Sequence, residues 1–462
     1  MQGASHHTVL EDSTVFLCEF PMYSRKLRDV SLAERARSRE NDEQFRCSDL
    51  RINRSMNRFV ALVAVVSLQF AVPQAATVLA QTDAGSSAIR IATFNCSLNR
   101  NADGELIRDL KGGNDRQARK VARILRIVRP AILLLNEFDF DEQGQALKCF
   151  ITDYLESSAD WASEPPVAYP YSFTAAVNTG VPSGHDLDHD GNTSGPADAL
   201  GFGRFPGQYG MLVLSQFPIK ADSVRSFQKL LWRTMSDAVV PAASTPGAMP
   251  WYDDNDLSIL RISSKSHWDI PVTIHDQVVH LLASHPTPPA FDGPEDRNGR
   301  RNHDEIRLWA EYISDGPKDW LVDDAGTVGP LAADASFVIL GDQNADPADG
   351  NSFPQAIQQL LNHPRVNSTV IPSSSGAVSA AAEQGGMNLQ HKGIAAQDTS
   401  DFSDSAVGNL RVDYVLPSRD LKTGAAAVYW PAPGEPGADL VDCSDHRLVW
   451  IEISVGKAVL ER

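Results

Sequence analysis

Cysteine and basic residues are scarce in this chain, whose 462 residues include five cysteines and only 41 lysines and arginines against 59 acidic residues. The cysteines lack the spacing of zinc ligands, which excludes a zinc module. The net charge of −18 excludes a protein that coats nucleic acid by general attraction to phosphates. With 31 glycines and 28 prolines, the chain is neither collagen-like nor of low complexity. Its 42% of hydrophobic residues instead predicts a globular protein with a sizeable core.

The apolar run of residues 59–70 is too short to cross a bilayer, which needs about 20 apolar residues. It follows a basic start at residues 56–58 and precedes a stretch of small residues, an order typical of a secretory signal peptide, although a buried core helix is the alternative. We predict a signal peptide over residues 56–80 and a secreted protein, extracellular or periplasmic. We infer that translation starts at Met56, so that residues 1–55 are an extension that does not belong to the natural protein and would be disordered if made. Without residues 1–80 three cysteines remain, Cys96, Cys149 and Cys443, which allow at most one disulfide in a monomer and leave its pairing open.

Apolar patterning in the rest of the chain predicts strands that first alternate with helices and then predominate. The predicted helices cover residues 115–128, 147–155 and 303–313. The predicted strands cover residues 88–95, 131–135, 169–174, 211–215, 257–262, 272–274, 278–284, 337–340, 412–416, 426–430 and 448–453. Long polar stretches at residues 178–208, 234–256, 286–300 and 371–408 predict functional or mobile loops. No neutral linker divides two cores, so we predict one domain over about residues 85–457.

Polar side chains that suit metal binding follow one predicted strand after another. They are Asn95, Asn136 with Glu137, His285, Asp342 with Asn344, and Asp445 with His446. Each alone is more typical of a turn or a helix cap, but their recurrence at strand ends indicates a shared site. Scattered carboxylates and an amide suit a hard cation such as Mg²⁺ better than zinc.

The order of these residues carries a family resemblance. Asn95, Glu137, His285, the Gly-Asp-Gln-Asn of residues 341–344, the Arg-Val-Asp-Tyr of residues 411–414 and the Ser-Asp-His of residues 444–446 resemble the endonuclease/exonuclease/phosphatase superfamily. The resemblance extends from about residue 89 to residue 453. It implies an α+β fold, a four-layer αββα sandwich in which two packed mixed β-sheets are flanked by helices, with a divalent-metal phosphoesterase site at one end of the sheets.

The resemblance also implies roles for single residues. Glu137 and Asp445 would be metal carboxylates for Mg²⁺ or Mn²⁺, with Asn95 as a further metal or phosphate ligand. Asp342 would orient or activate the attacking water, and Asn344 would hold a phosphate oxygen.

Two histidines and an aspartate complete the implied set. His446, held by Asp413, would act as a base or as a charged phosphate clamp. His285 matches the acid that the deoxyribonuclease-like branch uses on the leaving oxygen. In-line displacement at phosphorus needs such groups on the water and on the leaving oxygen, and positive charge near the other phosphate oxygens.

Three positions depart from the family pattern. Asn136 replaces the usual glutamine before Glu137, and Gln343 stands where an apolar residue is common. Ser97 replaces an acid that is often found two residues after the first-strand asparagine, which weakens the case for a second metal there. Whether one or two ions bind stays open.

Residues 186–191, Asp-Leu-Asp-His-Asp-Gly, begin like a calcium-binding loop. Asp186, Asp188 and Asp190 would supply oxygen ligands at positions one, three and five. Position twelve is Ala197 instead of the glutamate of an EF-hand, so a Ca²⁺-stabilised loop and a solvated acidic turn both remain open.

Cations occur near the proposed site in two places. Lys265 and His267 precede Trp268, and Arg297 and Arg301 lie just after the His285 loop. They are candidates for phosphate contacts, with an ordinary exposed charge run as the alternative.

Together these features predict a secreted, Mg²⁺-dependent phosphoester hydrolase, most simply a phosphodiesterase or nuclease that uses activated water. A phosphatase for small or lipid phosphoesters is the alternative, supported by the acidity and by the insertions at residues 178–208 and 371–408. A different class, a non-catalytic extracellular calcium-binding module, would be expected to have lost some of these site residues. The sequence implies no protein partner.

We predict that the mature N-terminus lies between Ala76 and Thr82, because cleavage follows a stretch of small residues. N-terminal sequencing of protein from the native host measures this directly. A sequence that begins near Met1 would contradict the prediction.

Overall fold

The structure, a computed structural model, describes residues 88–242 and 249–456. Its strands are β1 Ile89–Leu98, β2 Ile132–Phe138, β3 Tyr171–Phe173, β4 Met211–Ser215, β5 Arg225–Ser226, β6 His267–Ile274, β7 Gln277–Ser284, β8 Ser336–Asp342, β9 Ser400–Asp401, β10 Asn409–Leu410, β11 Asp413–Pro417, β12 Lys422–Val428 and β13 Val449–Ser454. Its α-helices are α1 Glu105–Leu110, α2 Arg116–Val128, α3 Gln145–Cys149, α4 Asp254–Ile259, α5 Arg297–Tyr312, α6 Gln358–Leu361 and α7 Ser375–Gln384. A π-helical turn, Phe150–Leu155, continues α3, and 3₁₀ turns lie at Pro196–Asp198, Ala221–Ser223, Trp232–Thr234, Gly386–Gln390, Ala395–Gln397 and Val441–Cys443.

Two mixed sheets form the centre of the fold. The first has the order β12-β13-β1-β2-β4-β3 and the second has the order β11-β8-β7-β6-β5. β1 pairs in parallel with β2, and β7 pairs in parallel with β8, while the outer pairs are antiparallel. The parallel pairs bring the carboxyl ends of two neighbouring strands together in each sheet.

Alternate residues of the central strands pack into different layers. In β2, Ile132 and Leu134 belong to a buried cluster that includes residues of the second sheet, whereas Leu133 and Leu135 pack with α2. On the far side of the second sheet, a third cluster contains Trp309 of α5. Strands buried on both faces explain the continuous apolar runs, and the layers confirm the αββα sandwich.

The helix predicted at residues 115–128 is confirmed as α2, and the strand predicted at residues 211–215 is confirmed as β4. The strand predicted at residues 257–262 is wrong, since residues 257–259 end α4 and residues 260–262 contribute only an isolated bridge, from Arg261 to Leu231. The side chain of Asp253 accepts hydrogen bonds from the backbone N–H groups of Asn255 and Asp256, and this N-cap starts a helix where the apolar pattern suggested a strand.

Loop predictions also need correction. α7 lies inside the loop predicted at residues 371–408, and α5 begins at Arg297, six residues before the predicted helix. The predictions for residues 1–55 and 56–80 lie outside the described residues. Within the described ranges, no helix has the length and apolar character that crossing a membrane requires.

The three cysteines of the described residues are all free. Cys96 and Cys443 are buried, and burial raises the pKa of both thiols, that of Cys443 to about 12. Neither is a thiolate near neutral pH, so neither has the character of a nucleophile.

Gly341 allows β8 to approach β7 where the site begins. Its φ of +141° lies in a region that L side chains rarely adopt, and an added Cβ would lie 2.0 Å from the carbonyl oxygen of Ser284. Ser284 directly precedes His285, so this close approach brings His285 and Asp342 together.

We expect Gly341→Ala to lower the free energy of unfolding by about 2–4 kcal/mol, because both the backbone conformation and the strand contact become strained. Urea denaturation followed by tryptophan fluorescence gives the value. Gly424→Ala is the matched control, since a Cβ there meets its nearest atom at 3.4 Å, and its effect should stay within about 0.5 kcal/mol. Equal effects in the two variants would contradict this account of Gly341.

Candidate active site

Asp342, the last residue of β8, lies at the centre of the candidate site and is only 1% exposed. Its Oδ2 lies 3.1 Å from Nδ2 of Asn95, 3.4 Å from Nε2 of His285 and 3.6 Å from Nε2 of His446. Burial opposes ionisation, but the charge of His446 and the hydrogen bond from His285 outweigh it and hold the pKa of Asp342 below its usual value. One carboxylate oxygen therefore faces an amide and two imidazoles.

His446 lies between two buried carboxylates. Its Nδ1 is 2.9 Å from Oδ2 of Asp413, and that oxygen also accepts a hydrogen bond of 2.8 Å from the Thr399 hydroxyl. Burial alone would lower the pKa of His446, but the charges of Asp413 and Asp342 raise it well above its usual value. The raised pKa favours the charged ring, in which Nδ1–H donates to Asp413 while Nε2–H lies 3.6 Å from Asp342, beyond hydrogen-bond distance, and stays available to another acceptor.

His285 has the opposite character. Burial and the nearby charge of Lys265 lower its pKa to about 4, so the imidazole is neutral at neutral pH. Its Nδ1 is buried and has no hydrogen-bond partner among the described residues. The two histidines that face Asp342 thus differ in charge.

Glu137 ends the buried part of β2 beside this group. Oε1 accepts from Nδ2 of Asn95 at 3.1 Å and Oε2 accepts from Nδ2 of Asn99 at 2.7 Å. Burial and the negative charge of Asp445 raise the pKa of Glu137 to about 7. Among the described residues no ion pair neutralises Glu137, so the site contains hard oxygen donors with unbalanced negative charge, which fits a divalent cation.

Asn95 joins the two sheets at the site. Its Nδ2 bonds both Glu137 on the first sheet and Asp342 on the second, while its Oδ1 accepts from the backbone N–H of Ser97. In this arrangement the amide orients two carboxylates. That Asn95 is itself a metal ligand stays a prediction.

The backbone is strained at or just after three of the site strands. Ser97, Glu137 and Asn344 have φ values of 49°, 60° and 50°, a region that non-glycine residues enter at a cost of about 1–3 kcal/mol each. The strain at three neighbouring strand ends is offset by hydrogen bonds, including that from the backbone N–H of Asn344 to Asp342 at 2.8 Å. Nδ2 of Asn344 donates to the carbonyl of Pro286 at 3.0 Å, which leaves one amide N–H for another acceptor.

A second grouping, Asp342, Asp413 and His446, also places three ligand atoms within 4.8 Å of one another. A metal there would need a lone pair on His446, but both ring nitrogens face carboxylates as N–H donors. The donor set of Glu137 and Asp445 is therefore the better candidate for a metal.

The structure does not agree with two of the predicted phosphate contacts. Arg301 is half-buried, and Nε and Nη2 of its guanidinium donate to the backbone carbonyls of Leu200, Arg261, Ile262 and Ser263. Both ring nitrogens of His267 are used, by the hydroxyl of Ser263 at 2.6 Å and by the carbonyl of Glu305 at 2.8 Å. Arg301 and His267 therefore hold the polypeptide in place rather than face a substrate.

Sequence reasoning missed Asn99, which holds Glu137, and Glu305, which lies on the buried face of α5. The carboxylate of Glu305 accepts from the backbone N–H groups of Ser264 and Thr287, both at 2.6 Å. Asn302 and Trp309 lie on the same helix face, three residues before and four residues after Glu305. A carboxylate on an otherwise buried helix face is the signal that could have found it.

In the loop of residues 186–191, the carboxylates of Asp186, Asp188 and Asp190 lie within 4.8 Å of one another. The backbone N–H of Gly191 donates to Asp186 at 3.0 Å, as a tight turn requires. The binding of Ca²⁺ at this loop stays a prediction.

Comparison with known proteins gives one family. The model of the endonuclease/exonuclease/phosphatase family matches residues 92–446. No curated protein sequence matches the chain.

Solved structures similar to the chain include an endonuclease/exonuclease/phosphatase from Beutenbergia cavernae, 15% identical with a TM-score of 0.43 over 80% of this chain and 72% of that one. Beta toxin from Staphylococcus aureus is 15% identical with a TM-score of 0.40 over 79% of this chain and 99% of that one. Sphingomyelinase C from Streptomyces griseocarneus is 15% identical with a TM-score of 0.38 over the same shares. Because the family model spans well over half of the chain and includes the site from Asn95 to His446, the chain belongs to the endonuclease/exonuclease/phosphatase family, whose members hydrolyse phosphoester bonds.

Proposed function

We propose that this phosphoester hydrolase is an exported, divalent-metal-dependent phosphodiesterase that works by in-line attack of water on phosphorus. The observation that carries the proposal is the meeting of Asn95, His285 and His446 at one oxygen of Asp342, with Glu137 beside them. Export rests on the signal peptide predicted over residues 56–80.

Glu137 and Asp445 would hold Mg²⁺ or Mn²⁺. Glu137 is held by two amides, whereas Asp445 is exposed and accepts only a weak hydrogen bond of 3.3 Å from the Ser97 hydroxyl, so one of its oxygens is available. When bound, the ion would offset negative charge on the phosphate oxygens.

Asp342 would orient the attacking water. Its pKa stays low, so it is a carboxylate at neutral pH and accepts a hydrogen bond from water rather than donating one. The neighbouring Asn95 and His446 fix its direction, which places the water at one angle to the phosphorus.

His446 and Asn344 would bind the other phosphate oxygens. The contacts of His446 with Asp413 and Asp342 favour a ring that donates from both nitrogens, which suits a phosphate clamp better than a base. The free N–H of Asn344 would act beside it.

His285 would donate a proton or a hydrogen bond to the leaving oxygen. It lies across Asp342 from the first sheet, and the negative charge of a bound phosphate would raise its pKa from about 4 toward neutrality. A group on the leaving oxygen matters most when that oxygen is a poor leaving group, as in phosphodiesters of alcohols.

A lipid phosphodiester is the second candidate substrate, beside nucleic acid. Phe291, in the loop that follows His285, is 79% exposed, and Leu389 in the 371–408 region is 75% exposed. Both side chains are available to an apolar or interfacial substrate. Assays of the full chain on DNA, RNA and sphingomyelin vesicles distinguish these candidates.

We expect Glu137→Gln to reduce metal-dependent hydrolysis by at least about 100-fold, because the amide keeps the volume but loses the charge that binds a hard cation. Steady-state rates on bis(p-nitrophenyl) phosphate over a range of Mg²⁺ concentrations measure the loss. Glu142→Gln is the control, because Glu142 is exposed in the loop that follows β2. Full activity in Glu137→Gln would remove the metal-site assignment.

His285→Ala should act in a substrate-dependent way. If His285 serves the leaving oxygen, its loss should cost on the order of 10² to 10⁴ in rate with an alkoxide leaving group. The cost should be much smaller with p-nitrophenolate, which departs without a proton. Equal losses on an alkyl and a nitrophenyl phosphodiester would mean that His285 binds the phosphate instead.

A further inference from the structure

The charged side chain of Lys265 has no partner in the described structure that would explain its position. Lys265 lies two residues before β6 and is 6% exposed. Within residues 88–242 and 249–456, no hydrogen bond or ion pair joins its ammonium group to another residue. The side-chain nitrogens and oxygens that are both fully buried and without a partner do not include Nζ of Lys265, so this nitrogen keeps some contact with solvent and can meet a ligand.

The backbone around Lys265 is held in a fixed position. The carbonyl of Lys265 accepts from the backbone N–H of Asn178 at 2.9 Å, and the N–H of the preceding Ser264 donates to Glu305 at 2.6 Å. The other oxygen of Glu305 accepts from Thr287, two residues after His285. One buried carboxylate therefore fixes the segment of Lys265 relative to the loop of His285.

The charges that act on Lys265 are those of the site. Burial lowers its pKa, while the carboxylates of Glu305, Glu137 and Asp342 act in the opposite direction. The charge of Lys265 is in turn one of the causes that lower the pKa of His285. Geometry agrees with this, because the hydroxyl of the preceding Ser264 lies 3.5 Å from the carbonyl oxygen of His285, so Lys265 is next to the catalytic groups, and no described carboxylate is within 4.0 Å to form an ion pair with it.

Neighbouring cations do not fill this role. The donors of Arg301 go to backbone carbonyls, and both nitrogens of His267 are occupied. Arg297 pairs with Glu295 and lies over the ring of Trp251, 5.1 Å from its centre. Of the four cations that the sequence offered for phosphate binding, Lys265 is the one whose side chain makes no hydrogen bond or ion pair with another described residue.

Positive charge is needed on the second-sheet side of the site. Glu137 and Asp445, which would hold a metal, both belong to the first-sheet side, and Ser97 stands where a further carboxylate would support a second ion. In phosphoryl transfer, negative charge on the non-bridging oxygens must be stabilised by fixed cations or donors.

We propose that the ammonium of Lys265 binds a non-bridging oxygen of the substrate phosphate and supplies positive charge on the second-sheet side, while the metal ion would act from the first-sheet side. This proposal rests on the proposed phosphodiesterase function and adds that one metal ion and one lysine share the phosphate. It assigns Lys265 as a catalytic residue, because its ammonium touches the substrate.

The test uses the full chain and the variants Lys265→Met and Lys220→Met, of which the second replaces an exposed lysine. We expect kcat/KM for bis(p-nitrophenyl) phosphate to fall by about 10²- to 10³-fold in Lys265→Met and to stay unchanged in Lys220→Met. The Mg²⁺ concentration for half-maximal rate should not change. The melting temperature of Lys265→Met should equal or exceed that of the parent, because the surroundings of Lys265 disfavour its charge, as its lowered pKa indicates.

A binding measurement separates this proposal from the proposed function. At fixed Mg²⁺, inorganic phosphate should raise the melting temperature of the parent and of Lys220→Met, and the rise should be lost in Lys265→Met. Wild-type kcat/KM and wild-type phosphate stabilisation in Lys265→Met would overturn the role of Lys265. A lowered melting temperature that accounts for the loss of activity would also overturn it, since Lys265 would then be structural.

Two further outcomes are informative. If the parent hydrolyses none of the phosphoesters, the proposed function fails, while the phosphate-induced shift still decides whether Lys265 binds phosphate. If Lys265→Met does not fold, Lys265→Gln takes its place, and phosphate stabilisation equal to that of the parent would overturn the proposal.

Discussion

The buried carboxylate of Asp342 is the group around which the site is assembled. Its Oδ2 contacts Asn95 from the first sheet, His285 from the second sheet and His446 from the segment before β13. A charge at this depth persists only if its donors are fixed, because the surrounding protein cannot reorient as water does. The strained turns at Glu137 and Asn344 and the close approach at Gly341 are local costs of bringing those donors to one point. The two sheets, with apolar clusters on both faces of their central strands, provide the stability that offsets these costs.

The two histidines of the site differ in charge. His446 is charged because carboxylates surround it, whereas His285 is neutral because it is buried next to a cation. The charges next to each ring, and not the residue type, therefore decide that His446 is protonated and His285 is neutral. Carboxylates without paired cations gather on the first-sheet side, and an unpaired ammonium lies on the second-sheet side. A phosphate bound between a metal ion and Lys265 would complete both halves.

The sequence predicted the layers and most of the strands because strands buried on both faces have long apolar runs and because polar residues mark their ends. It also predicted the residues that meet around Asp342, since their order along the chain is a family pattern. It did not predict that Arg301 and His267 are used internally, because a motif does not say which donors the backbone takes. It missed Asn99 and Glu305 for a related reason: each acts through the fold, and only the folded chain brings Asn99 to Glu137 or Glu305 to two separate loops. The error at residues 257–262 came from an apolar pattern that the N-cap of Asp253 overrides.

The bridging carboxylate of Glu305 has a consequence for how the site is held together. It accepts from the backbone of both Ser264 and Thr287, so one side chain sets the position of the Lys265 segment relative to the His285 segment. The segment of Asp445 is held differently, by its own backbone: the carbonyl of Asp445 accepts from the N–H of Asp401 at 2.7 Å, while its exposed side chain accepts one hydrogen bond of 3.3 Å from Ser97. Loss of the Glu305 carboxylate would therefore disturb two segments of the site at once, whereas a change at Asp445 would alter one exposed side chain and leave the backbone of its turn in place.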